Sequence, residues 1–200
     1  MTRWFTAAFL VLCAYFAWDH FVLARPIDRG PGVVAPNVPD QALLGSDAPM
    51  FTKNGYRVAA LATFDMQARV LHTKGYCCGG LDGLAPLDAV FGWGRMSDQQ
   101  VLAHLDISQS GRFYYWHYAG EPPIPRREIE TSSANMHLIP ATPAIERRLK
   151  HLRPGNIVSL KGYLVEISGE GGFRWRSSLT REDTGGGACE LIWVEEVEAS

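Results

Sequence analysis

No C-x-x-C pair and no C-x-x-C-H run occurs in this chain, which excludes a thioredoxin-type redox couple and a covalent haem site. Metal spacing is missing as well: His72, His104, His117, His137 and His151 stand singly. Ser132, Ser133, Ser177 and Ser178 have no G-x-S-x-G frame around them, so no nucleophile elbow is expected. There is no basic excess. Lys and Arg number 19 against 21 Asp and Glu, and the later arginines are balanced by Glu195, Glu196 and Glu198. Nucleic acid is therefore not an expected partner. Neither a repeat at solenoid or propeller period nor a low-complexity stretch beyond the glycines is present. No cofactor and no metal is implied.

A long apolar run is present at the start. Residues 4–18 are largely apolar after Arg3, and the run resumes at residues 21–24 beyond Asp19 and His20. As a helix, residues 4–24 would measure ~30 Å, about one hydrocarbon thickness. Trp4 and Trp18 suit the two interfacial belts. We read residues 1–25 as a signal-anchor transmembrane helix. A cleaved signal peptide ending at residues 22–24 competes, with the bulky Trp18, Phe21 and Leu23 against it. Both place the remainder outside the cytoplasm. Residues 26–55, rich in proline, glycine and small residues, read as a flexible linker. Residues 56–198 read as one extracytoplasmic domain.

The densest β pattern lies in residues 154–194. Pro154-Gly155-Asn156 opens a turn. Residues 157–167 form a strand, with Val158 and Leu160 on one side, Tyr163, Val165 and Ile167 on the other, and Gly162 at the change. Arg174 and Arg176 share one face of a following strand, opposite Trp175. A closing strand runs from Cys189 to Val194. Upstream, residues 56–61 are apolar, a half-buried strand is expected over residues 66–72, and an aromatic strand over residues 112–118. A short helix is expected over residues 86–91, a helix capped by Ser97 through Leu105, and a short strand over residues 127–131. Thr142 and Pro143 start a helix that buries Ile145, Leu149 and Leu152. The fold class expected is α+β: a transmembrane helix, then a mostly antiparallel β domain, either a small OB-like barrel with two or three short helices or an open sheet.

Three sets of residues could carry function. Four cysteines are present. Cys13 is a small hydrophobe in the apolar run. In an oxidising compartment Cys77 or Cys78 would pair with Cys189, written here as Cys78–Cys189, closing a long loop worth about 4–5 kcal/mol. The alternative is that all are reduced and buried. A thiol hydrolase would use Cys189 as nucleophile, His137 as base and Asn135 or Asp183 as the orienting group. Its rival is a structural Cys189 inside an apolar strand. Asp82, Asp88, Asp98 and Asp106 could supply a glycosidase pair, but nothing in the sequence brings two together. Arg174, Arg176, Arg181, Trp175 and Trp116 could form a surface for glycan, peptide or lipid headgroup. The plainer alternative is a solvated basic face above core aromatics.

Gly92-Trp93-Gly94-Arg95-Met96-Ser97-Asp98, Ser133-Ala134-Asn135-Met136-His137 and Ser177-Ser178-Leu179-Thr180-Arg181-Glu182-Asp183-Thr184 resemble segments of an uncharacterised bacterial family of short, N-terminally membrane-anchored proteins. The resemblance covers most of residues 56–194. It implies a single-pass location in the bacterial inner membrane, with the domain in the periplasm, and carries no activity. The expected function is a non-catalytic binding or scaffold module of the cell envelope, with the membrane and an envelope protein as partners. The thiol hydrolase and the glycan, peptide or headgroup binder are the alternatives.

Overall fold

The computed structural model describes residues 6, 9–12, 14–15, 25–77 and 79–200. The expected membrane helix over 1–25 lies largely outside them. Among the described residues no helix is long and apolar enough to cross a membrane. The fold is mixed α+β, dominated by antiparallel sheet, with few and short helices.

Its centre is β3 (Tyr56–Gly75), one strand of 20 residues that takes in both the apolar run 56–61 and the strand expected over 66–72. Every second residue from 58 to 70 is buried, the period of a pleated strand. Two short strands, β1 (Asp40–Leu43) and β2 (Met50–Lys53), pair antiparallel with it. Further along the chain, β4 (Leu87–Gly92) pairs with β3 and β7 (Ser133–Pro140) with β4. The last strand, β10 (Glu190–Ala199), runs parallel to β7 and antiparallel to β8 (Ile157–Ser168). β8 then pairs back onto β3 over residues 57–69, so the pairing path returns to its starting strand. β9 (Arg174–Arg176) extends the edge of β8. A separate hairpin consists of β5 (Asp106–Ser110) and β6 (Phe113–His117).

One face of this path carries Phe64, Met66, Phe91, Leu138, Leu160 and Ile192. The helix α4 (Pro143–Lys150) packs on it through Ile145 and Leu149, with Leu152 just beyond. Thr142 caps α4 by accepting from the Ile145 amide at 3.2 Å, as the sequence pattern predicts. Burying a side chain of this size contributes roughly 1.5–3 kcal/mol. The opposite face carries Val58, Ile139, Val165, Ile167, Leu191 and Trp193. Shorter α-helices are α1 (Gly80–Leu84), α2 (Gln99–Leu102) and α3 (Arg126–Thr131).

Several expectations change. Val158, Leu160 and Leu164 all stay on the first face, so β8 does not switch sides at Gly162. Beyond Gly162 its second face simply becomes covered. Residues 86–91 are mostly a wholly buried strand, not a helix, because Leu87–Gly92 is walled on both sides. Residues 127–131 are helical. Asp98, not Ser97, caps α2, and Ser97 Oγ instead accepts from the Val34 and Ala35 amides. That last contact belongs to a larger correction. Residues 26–55 are no free linker: Ala35 is fully buried, Ile27 N donates to Pro154 O at 2.8 Å, and β1 and β2 extend the sheet.

Candidate functional site

The site is built where the β5–β6 hairpin lies against β3, β4 and β7. Its tight turn has Gly111 at φ 58 and Arg112 at φ 64, the left-handed pair a two-residue hairpin needs. Arginine is an uncommon occupant of that region. Here its guanidinium donates to Asp88 Oδ1 at 2.8 Å and Asp82 Oδ1 at 2.7 Å, and lies 4.0 Å from the centre of the Tyr76 ring.

Asp88 is fully buried on β4 and faces His137 across the strand pair. His137 Nδ1 lies 2.8 Å from the same Asp88 oxygen, at ion-pair distance but without hydrogen-bond alignment. Its ring packs on Trp175 with centres 4.8 Å apart. Burial and the Asp88 charge push the Tyr76 hydroxyl up to about 12. Asn135, two residues before His137 and so on the same face, donates to Arg112 O at 2.9 Å and accepts from Gln109 Nε2 at 2.6 Å. His72 Nδ1 meets Gln109 Oε1 at 2.7 Å, which completes a polar chain under the hairpin.

Cys189 enters from the start of β10 and approaches the same Arg112 carbonyl, with Sγ at 3.9 Å. Its thiol is free. Burial, then the Glu190 and Asp88 charges, push it up to about 12. Cys77 is exposed, and Cys78, the other half of the expected bridge, lies outside the described residues.

Two hollows meet at Cys189 and Phe113. A cleft of about 390 Å³ is lined by His137, Arg174, Trp175 and Arg176. A cavity of about 300 Å³ is lined by Trp93, Tyr115, Trp116, Asn135, Arg181 and Glu190 among others. The predicted residues are thus divided: Cys189 with His137, Trp175, Arg174 and Arg176 on one side, and Cys189 with Asn135, Arg181 and Trp116 on the other. The arginines are occupied. Arg174 and Arg176 both donate to Glu166, at 2.7 and 2.9 Å. Arg181 Nε lies 2.8 Å from Glu190 Oε1. Glu190 is buried, and burial raises its carboxyl to about 7 against the pull of Arg181. Of the four aspartates, Asp82 and Asp88 share Arg112 and Asp98 caps α2, so these do not flank a cleft as a glycosidase pair would. No group of three or more metal-ligating side chains gathers among the described residues.

Arg112, Tyr76, Gln109 and Glu190 are not among the candidates that the sequence offers, and Asp88 is one only as a possible glycosidase carboxylate. Only Ser110-Gly111-Arg112, a turn between two polar-aromatic runs, offered a signal. No family model, curated protein or solved structure matches the chain.

Proposed function

We propose that this protein is a non-catalytic binding module of the bacterial envelope, anchored in the inner membrane through residues 4–24, with an OB-like barrel as its periplasmic domain. Support for the barrel comes from the strand path that returns to β3, with β7 and β10 parallel and α4 inserted before β8. In OB barrels the second and third strands and two flanking loops form the binding side. The equivalents here are β4 and β7, residues 76–86 and residues 169–189. The observation that carries the binding role is the cavity of about 300 Å³ on that side, with an aromatic wall and a buried polar floor. The test is pull-down from detergent-solubilised membranes with residues 1–25 intact. A partner or ligand retained by wild type and lost on Trp116→Ala or Tyr115→Ala supports the role. Full-length protein recovered from the soluble cytoplasmic fraction removes it.

A thiol hydrolase is the second reading, favoured by Cys189 and His137 sharing one cleft beside Asp88. Against it stands the thiol held up to about 12, which leaves little thiolate at neutral pH. Iodoacetamide at pH 7.5 decides: labelling of Cys189 slower than a free cysteine's removes the hydrolase, and labelling that is fast and His137-dependent restores it.

A further inference from the structure

We propose that the cavity of about 300 Å³ is a seat for one uncharged sugar ring, a ligand with several hydroxyl groups and an apolar C–H face. This rests on the binding role proposed above and names its ligand class.

Unpartnered polar atoms concentrate here. Among the described residues, eight buried side-chain nitrogens and oxygens lack a hydrogen-bond partner, and four of them belong to residues that line this cavity. Three are donors: Trp93 Nε1, Arg181 Nε and Arg181 Nη2. One is an acceptor, Glu190 Oε2. Trp93 is 2% exposed and Glu190 1%. Buried polar groups are normally paired, so a matching ligand brings mostly acceptors and at least one donor. A hydroxyl supplies both at one oxygen, with one O–H and two lone pairs. A polyol therefore answers an excess of donors and the single orphan acceptor together.

Charge selects a neutral acceptor over an anion. Arg181 Nη1 donates to Gln41 Oε1 at 3.3 Å, and Nε lies 2.8 Å from Glu190 Oε1 without hydrogen-bond alignment. The guanidinium charge is thus met by Glu190, while Nη2 stays open. Glu130 and Asp183 line the cavity as well. A carboxylate or phosphate entering it would face these acids and a guanidinium that is already paired. A hydroxyl accepts from Arg181 without bringing a charge, and another on the same ring can donate to a carboxylate.

The walls suit the same ligand. Phe113 and Tyr115 line the cavity and are 43% and 54% exposed. They stand two apart on β6, so both rings leave the same side of the strand. The C–H face of a pyranose covers an aromatic ring, while its hydroxyls leave from the edge. The volume lies at the lower end of the range for small-molecule sites, roughly 300–1,000 Å³, which fits one ring better than an extended chain.

The experiment titrates the full-length protein, in a detergent without a sugar headgroup, with methyl glucoside, methyl galactoside and methyl mannoside. Tetrahydropyran, the same ring without hydroxyls, and N-acetylglycinamide, a peptide analogue, are the comparison probes. The indole N–H signal of Trp93 is followed by NMR. At least one glycoside is expected to shift it and to bind about tenfold more tightly than either comparison probe. Tyr115→Ala should weaken that glycoside about three- to tenfold, and Tyr115→Phe, which keeps the ring, should leave it unchanged. Tyr115 is half exposed, so neither substitution threatens the fold. A comparison probe that binds as tightly as the best glycoside overturns the sugar and leaves a small-molecule seat standing. No shift with any probe overturns the sugar and the seat together. A partner still retained in the pull-down and lost on Trp116→Ala would then keep the binding module itself.

Discussion

Arg112 holds a left-handed turn position that glycine would occupy without strain, at a cost of order 1–3 kcal/mol. What offsets it is Asp88, a fully buried carboxylate whose one strongly cationic neighbour is this guanidinium. Arg112→Ala therefore relieves little and strands a charge. We expect a loss of about 3–5 kcal/mol in urea unfolding, the cost of breaking a buried pair from one side. Adding Asp88→Asn should recover part of that loss, since no charge is then left buried. Strictly additive losses in the double variant would mean the pair is not coupled. Glu190 is the second residue whose charge is set by burial. A carboxyl held up to about 7 when folded, against 4.5 for the ordinary side chain, keeps its proton longer folded than unfolded. Its contribution to stability is complete below the unfolded value and is lost as pH rises through the folded one. The fall amounts to about 3 kcal/mol between roughly pH 4.5 and 7. Glu190→Gln should flatten it, and parallel wild-type and variant curves across that window would remove this assignment.

At the scale of elements, the close contact of β8 with β10 depends on Gly162. A Cβ there would overlap the Trp193 carbonyl oxygen, and the β10 register slips between Val194 and Glu196 beside it. Gly162→Ala must move backbone and not merely a side chain, so we expect about 3 kcal/mol of destabilisation. Melting within 2 °C of wild type would mean that the two strands separate easily. That glycine was visible in the sequence as a break in the pattern, although its cause was not. The pattern registers which residues are apolar, and a carbonyl from a distant strand leaves no mark on it. The same limit explains the other elements. The helix α4 was legible because Thr142, Pro143 and the Ile145–Leu149 spacing are all local. β4 was not, since a short apolar run buried on both faces has no period, and Pro86 in front of it imitates a helix start. The role of Asp88 was hidden for the same reason: the sequence offers it as one of four carboxylates, but inside Leu87–Gly92 nothing marks it as the charge on which Arg112, His137 and Tyr76 converge.

For the whole molecule the decisive fact is the docked segment before β3. Arg29 donates to the carbonyls of Gly155 and Ser200, Gly32 N donates to Asp98 at 2.9 Å, and the Phe51 ring stacks on Trp193 with centres 4.5 Å apart. An anchor ending at residue 24 would then have at most ~10 Å of chain before Ile27 is pinned beside Pro154. The domain would sit against the bilayer instead of swinging on a tether, and the end of it that holds Pro154 and Ser200 would face the headgroups. β8 supplies a ruler for this. It is 12 residues long, so its far end at Ser168 lies about 35 Å from its start at Ile157. Nitroxides at Pro154→Cys and Gly171→Cys, in protein reconstituted into vesicles, should therefore differ in their relaxation by a headgroup-bound paramagnetic lipid. The label at 154 should be strongly affected and the label at 171 little. Equal effects at both sites would detach the domain from the surface.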